Sequence, residues 1–309
     1  MENLEKIFSF INEKSEQYEQ NSELTYLEGV LNTLEDILDQ KIEWVGKDAS
    51  KEEIRKAVQL AILKGMRKSS QPNHQMTPDS LGLLVGYFVE QFVEEKLNQG
   101  PISILDPAVG TGNLLLTVMN MFDGKTFSTG IEVDETLIRL AADTAELIQQ
   151  PIMLYHQDAL QKMLVDPVDV VVCDLPVGYY PNEDVALDYE LCSREGMSYA
   201  HHLLIEQSIN HSKDGAYLFF LVPANLFESE QAKELHNYLK KHAWIQAVIQ
   251  LPDGLFANKS LEKSMLILQK QSKDHRAPRE VLLAKVPNLS NKQALSAFFE
   301  KVQIWKKQK

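Results

Sequence analysis

Cysteine and positive charge are both scarce in this 309-residue chain, and each scarcity closes off a class of function. The two cysteines, Cys173 and Cys192, stand in no CxxC or other metal-like spacing. Neither a disulfide framework nor a cysteine metal site is encoded, and both read as incidental thiols. Lys and Arg number 31 against 44 Asp and Glu, a net charge of −13. A surface broadly adhesive to nucleic acid needs clustered cations, so any such contact has to come from a local patch. One candidate is the tail from Lys273 to Lys309, with nine Lys and Arg against three acids. The competing reading is a terminal helix whose charges only solvate it.

Long apolar runs are missing as well. No stretch approaches the ~20 residues of a membrane span, and the first ten residues mix Glu2, Glu5 and Lys6 with apolar side chains, unlike a secretory leader. The expectation is a cytoplasmic protein with no membrane partner. GxxxxGK, HExxH and GxSxG are absent too, which removes the phosphate loop, the zinc hydrolase and the serine hydrolase elbow. His201 and His202 are adjacent and therefore face different sides of a helix, so no metal is expected.

What is present is a globular composition, 44% hydrophobic and 24% charged, long enough for about two domains. Leu27, Val30, Leu31, Leu34, Ile37 and Leu38 fall on one helical face. A further helix begins at Ser50, with Glu53 three residues on as in a capping box, and runs to about Met66. Ser69-Ser70-Gln71-Pro72-Asn73 combines turn formers with a proline and reads as a linker. The expected organisation is a helical domain over 1–72, an α/β domain over 73–272 and a basic extension over 273–309.

Within the α/β part, seven short apolar or β-branched runs read as strands: Ile102–Val109, Phe127–Val133, Ile152–Gln157, Val168–Asp174, Ala216–Pro223, Ile245–Leu251 and Lys263–Gln269. Helix-length segments separate most of them, among them Asn113–Phe122, Glu135–Gln149, Tyr199–Lys213 and Ser229–Lys241. Doubly buried strands alternating with helices predict a Rossmann-like, mostly parallel seven-stranded sheet with helices on both faces. Pro252-Asp253-Gly254 is too short for a helical crossover, so the last strand is expected to be antiparallel.

The strongest local signal is Ile104-Leu105-Asp106-Pro107-Ala108-Val109-Gly110-Thr111-Gly112-Asn113-Leu114, a strand that enters a glycine turn and then a helix. Gly110 and Gly112 let the backbone turn and approach a ligand closely. Leu115 stands where a dinucleotide loop has its third glycine, and Asp106 places a carboxylate at the strand end. That suits a cationic ammonium or sulfonium better than a pyrophosphate. Glu132, at the end of the second strand and followed by Val133 and Asp134, is placed to accept from ribose hydroxyls. Asp158, followed by Ala159 and Leu160, can accept from an adenine amino group. Asp174 closes the fourth strand. Each acid has an alternative use as a helix N-cap, but four successive strand ends supplying polar or glycine-rich residues point to one site.

These residues resemble the gamma-class amino methyltransferases, most closely the modification subunits of type I restriction-modification systems. The resemblance covers residues 74 to 270 and includes Met76-Thr77-Pro78-Asp79, the loop from Asp106 to Leu114, and the segments Val222–Phe227 and Val248–Phe256. It implies S-adenosyl-L-methionine as cofactor, with Thr77 at its methionine end, Glu132 on its ribose and Asp158 on its adenine. It also implies transfer of a methyl group to an exocyclic amine, adenine N6 in DNA or other nucleic acid. In that family a tetrapeptide of Asn or Asp, Pro, Pro and an aromatic holds the target amine and stacks on the base. Here it reads Asp174-Leu175-Pro176-Val177, so Asp174 and Pro176 remain as catalytic candidates, and Tyr179 or Tyr180 is a candidate for the aromatic role, the competing reading being a loop aromatic packed on the domain. No segment is large enough for target recognition, so DNA or RNA binding would require a separate partner, and a homodimer through the N-terminal helices is a further expectation. Two alternatives stay open: a cofactor-binding regulator that does not methylate, and a methyltransferase for a protein or small amine.

Overall fold

The computed structural model describes residues 2–68, 76–122, 124–252, 255–256 and 262–308. The expected linker over 69–73 and the turn at Asp253 and Gly254 lie outside them. The chain begins with three helices, α1 (Glu2–Asn21), α2 (Tyr26–Leu38) and α3 (Lys51–Lys68). Two start with reciprocal caps: Thr25 and Glu28 open α2, and the Ser50 and Glu53 pair expected from the sequence opens α3, with Ser50 N donating to Glu53 Oε2 at 3.0 Å and Glu53 N to Ser50 Oγ at 3.3 Å. Each such cap contributes about 1 kcal/mol. A fourth helix, α4 (Asp79–Gln99), to which the sequence reading assigns nothing, leads into the sheet.

The α/β order then follows as β1 (Ile102–Asp106), α5 (Asn113–Met121), β2 (Thr126–Glu132), α6 (Glu135–Leu147), β3 (Met153–His156), β4 (Val168–Asp174), the single turn α7 (Glu183–Ala186), α8 (Ala200–Asn210), β5 (Ser212–Pro223), α9 (Ala232–His242), β6 (Ala243–Gln250), β7 (Lys263–Lys270), β8 (Leu282–Lys285) and α10 (Lys292–Gln308). The strands form one sheet in the order β3-β2-β1-β4-β5-β7-β6-β8. All neighbours are parallel except β7, which runs antiparallel between β5 and β6. The expected antiparallel strand is thus present, but among the described residues the sheet has eight strands, not seven: β8, beyond residue 272, adds to β6 in parallel.

Successive residues of the central strands enter opposite cores, as the period of two requires. Ile104, Val170, Val172, Phe219 and Leu221 pack with the helices α1–α5. Leu105, Val171, Cys173, Leu218 and Phe220 pack with Leu203 of α8 and Leu235 of α9. The close crossing of α4 on α5 depends on Gly82 and Gly86, where an added Cβ would lie 2.9 Å from Thr117 and 2.3 Å from Met121 Sδ.

The cationic tail folds back onto α4. Phe298 and Val302 of α10 are buried, Tyr87 and Phe299 meet at 4.3 Å between ring centres, and Lys306 Nζ lies 2.8 Å from Glu94. Since large-to-small changes at buried aromatics cost about 3–5 kcal/mol, Phe298→Ala should lower the unfolding free energy by about 3 kcal/mol in a urea titration with an unchanged slope. A loss below about 0.5 kcal/mol would show that the tail is not part of the folded core.

Candidate active site

The strand order reverses between β1 and β4, and in open α/β sheets the crevice at the carboxyl ends of such strands is where ligands bind. Asp106 ends β1 there. It is buried, accepts from Ala108 N at 3.1 Å, and lies beside the Cys173 thiol and the charges of Asp174 and Glu132. Burial above all, then the neighbouring Asp174 and Glu132 charges, pushes its carboxyl up to about 7. The chain then turns through Gly110 (φ 55°) and Gly112 (φ 81°), left-handed conformations that favour glycine. A Cβ at Gly110 would meet nothing within 4 Å, so the backbone there borders open space. Pro107 is buried and Ala108 half-buried beneath this turn, and Leu114 anchors the first turn of α5 in the core.

Glu132 is fixed by three backbone donors: Gly110 N reaches its Oε2 at 2.9 Å, and Val133 N and Asp134 N reach its Oε1 at 2.9 and 3.0 Å. Asp134 serves as the N-cap of α6, which leaves Glu132 as the acid facing the loop. Val133 is exposed. Asp158 accepts from Leu160 N at 2.9 Å and from the Tyr180 hydroxyl, while Ala159 and Leu160 are buried behind it.

On the other side of Asp106 lies Asp174. Its Oδ2 accepts from Thr77 Oγ1 at 2.8 Å, and its Oδ1 pairs with Lys263 at the start of β7. Lys263 is only 12% exposed. Leu175 replaces a proline of the family tetrapeptide, and its N–H donates to Leu221 O at 3.1 Å. A proline could not make that bond. Pro176, Val177 and Tyr179 are exposed. Tyr179 stacks on Tyr199, 4.9 Å between centres and 13° between planes, and Tyr199 stacks in turn on His201. Burial lowers His201 to about 4 and His202 to about 3, so both are neutral at physiological pH.

The structure therefore brings Thr77, Asp106, Gly110, Gly112, Glu132, Asp158 and Asp174 to one edge of the sheet. Asn113 differs: its side chain donates to Thr77 O at 2.7 Å and Asp79 Oδ1 at 3.1 Å and accepts from Arg55 at 2.7 Å, leaving it a structural rather than a ligand-facing role. Tyr180 is buried and tied to Asp158, whereas Tyr179 is exposed and stacked on Tyr199. Lys263, Tyr199 and Arg55 contact Asp174, Tyr179 and Asn113 respectively and were not found from the sequence. Tyr199 is a β-bridge partner of Tyr179, but nothing in the local pattern around Lys263 or Arg55 marks either.

A sheet of this order with an antiparallel β7, together with a glycine turn ringed by carboxylates, defines a class I S-adenosylmethionine-dependent methyltransferase. A family model described as N-6 DNA methylase matches residues 74–305, and one described as a YtxK N-terminal helical domain matches residues 43–66. The chain belongs to the N-6 DNA methylase family. It is 45% identical over 258 residues to the uncharacterized protein YtxK of Bacillus subtilis, covering 83% of this chain and 78% of that one. The crystal structure of a Listeria monocytogenes protein, lmo1582, assigned as a class I S-adenosylmethionine-dependent methyltransferase, superposes with a TM-score of 0.91 at 40% identity over 99% of both chains. The type I restriction-modification methyltransferase subunit of Streptococcus thermophilus shares the fold, with a TM-score of 0.69 at 16% identity, over 96% of this chain and 74% of that one.

The residues fit the cofactor: a Cβ at Gly110 would meet nothing within 4 Å, Glu132 and Asp158 are acceptors by chemistry, and the buried Asp106 is a candidate counter-charge. A carboxyl near 7 is mostly protonated at pH 6 and mostly ionised at pH 8, and a cationic ligand favours the ionised form. Affinity for S-adenosylmethionine should therefore rise with pH across that window, by up to about tenfold, and Asp106→Asn should flatten the dependence. Calorimetric titration at constant ionic strength checks this; an affinity that is level in the wild type from pH 6 to 8 would remove Asp106 from the cofactor's charge balance.

Proposed function

We propose that this methyltransferase acts on the N6 amino group of adenine in nucleic acid, with DNA the first candidate. The observation that carries the reading is Asp174, held at the end of β4 by Thr77 and Lys263, with the exposed Tyr179, stacked on the half-buried Tyr199, in the loop that follows. The cofactor supplies an electrophilic methyl group. Asp174 accepts a hydrogen from the incoming amine and so turns its lone pair toward the cofactor side of the crevice, where orientation accounts for much of the acceleration. Among the described residues each Asp174 oxygen has one partner, which leaves a lone pair for the acceptor. Tyr179, already aligned by Tyr199, offers the flat surface on which a flipped base can stack, in place of the aromatic that Val177 replaces.

The segment between Gly178 and Tyr199 holds only the single turn α7, and the chain carries a net charge of −13. Sequence choice and most phosphate contacts are therefore assigned to a separate recognition partner in the cytoplasm, with the N-terminal helices as the surface for assembly or for a second copy. The Asp174–Lys263 pair supports a second reading, in which Lys263 keeps the acceptor position filled and the chain binds cofactor without methylating. A protein or small-amine acceptor would use the same Asp174 and is separated by product alone.

The deciding experiment is transfer of radiolabelled methyl groups into separated DNA, RNA, protein and small-molecule fractions of a lysate. Label should appear in a nucleic-acid fraction and fall about a hundredfold or more with Asp174→Ala. Tyr179→Ala should raise KM by roughly tenfold, the worth of one base–aromatic stack. Label confined to protein or small molecules would redirect the acceptor class, and no label despite bound cofactor would favour the second reading.

A further inference from the structure

A side chain of the N-terminal helices reaches the end of the cofactor loop at Asn113. Arg55 of α3 is among the largest fully buried residues, at 2% exposure. All five of its N–H donors have acceptors. Nε and Nη2 reach the two oxygens of Glu52 at 2.8 Å each, Nη2 and Nη1 reach the two oxygens of Asp79 at 2.8 and 3.0 Å, and Nη1 reaches Asn113 Oδ1 at 2.7 Å. Asp79 also accepts from Gln59 of α3 at 2.7 Å.

The far side of this network is the site itself. Asn113 is the first residue of α5, directly after Gly112, and its amide donates to the carbonyl of Thr77 at 2.7 Å. Thr77 in turn donates its hydroxyl to Asp174. The guanidinium thus fixes the start of α5, on which the Gly110–Gly112 turn depends, and the backbone of the residue that holds the acceptor-side carboxylate. Burial without these partners would be prohibitive for a permanent cation, whereas a fork of five satisfied donors is rigid.

We infer that Arg55 is a positioning residue for the cofactor: the helical layer before the sheet is part of the binding site's rigid frame, and cofactor affinity depends on its docking through this residue. The inference rests on the loop from Asp106 to Asn113 being the cofactor's. A second link between the same layers provides the control, since Glu35 of α2 pairs with Arg139 of α6 on the surface and touches neither the loop nor Thr77.

The test is calorimetric titration of the full chain with S-adenosylmethionine, alongside thermal unfolding. Arg55→Lys keeps the charge but cannot span Asp79, Glu52 and Asn113 together, and it should weaken binding on the order of tenfold, within the usual range for coupled sites. Glu35→Gln should leave affinity unchanged. Equal affinity in all three proteins would overturn the proposal, and so would an equal loss in both variants, which would mean that docking in general and not Arg55 matters. Coupling is reciprocal, so a measurement on the wild type stands beside the variants: adding cofactor should slow amide hydrogen exchange in residues 51–68. No added protection there would overturn the proposal, whereas a wild type that binds no cofactor would instead overturn the assignment of the loop.

Discussion

Four carboxylates crowd one edge of the sheet, and the structure around them is shaped by the need to hold like charges together. Asp158, Glu132, Asp106 and Asp174 follow the ends of β3, β2, β1 and β4, which are neighbours in that order. Each is balanced differently. Backbone N–H groups carry Glu132, Tyr180 and a backbone N–H carry Asp158, and Lys263 with Thr77 carries Asp174. Asp106 has the least compensation for its burial, and its raised pKa records that deficit. A perturbed acid in a cleft is a marker of function when geometry agrees with it. Here the geometry does: the buried Asp106 lies at the start of the Gly110–Gly112 turn, where a Cβ at Gly110 would meet nothing within 4 Å.

What the sequence made legible follows from the same physics. Parallel strands buried on both faces announce themselves as unbroken apolar runs, and the glycine turn with its acids is local, so most of the strands from β1 to β7 and the cluster of acids at their ends could be read from pattern. Three things could not. Helix α4 hides because Gly82 and Gly86, required by the crossing of α5, lower helix propensity within a stretch rich in Val, Tyr and Phe. Strand β8 is four residues long, with Leu283 exposed on an edge, and has no signature apart from its pairing with β6. The long-range partners are invisible in principle to pattern: Lys263 meets Asp174 across 89 positions and Arg55 meets Asn113 across 58.

The tail shows how composition can mislead about function. Its excess of Lys and Arg invites a nucleic-acid reading, yet the aromatic face of α10 is committed to α4, and Lys306 to Glu94. Lys and Arg on such a helix cover apolar surface with their stems and keep their charge in water. Contacts with phosphate are then more naturally sought near the crevice or on a partner chain than along this helix.

The altered tetrapeptide bears most directly on chemistry. Loss of its first proline looks at first like decay, but Leu175 is buried and uses the N–H that proline lacks to extend the β4–β5 ladder by one bond, immediately after Asp174. The carboxylate is therefore held from three directions: by the strand behind it, by Thr77 and by Lys263. Two residues beyond Val177, which stands where the family tetrapeptide has its aromatic, the ring of Tyr179 is stacked and exposed. What has changed is electrostatic. An amine that takes up Asp174 would share it with the nearly buried ammonium of Lys263, which offsets one of the four acids at these strand ends.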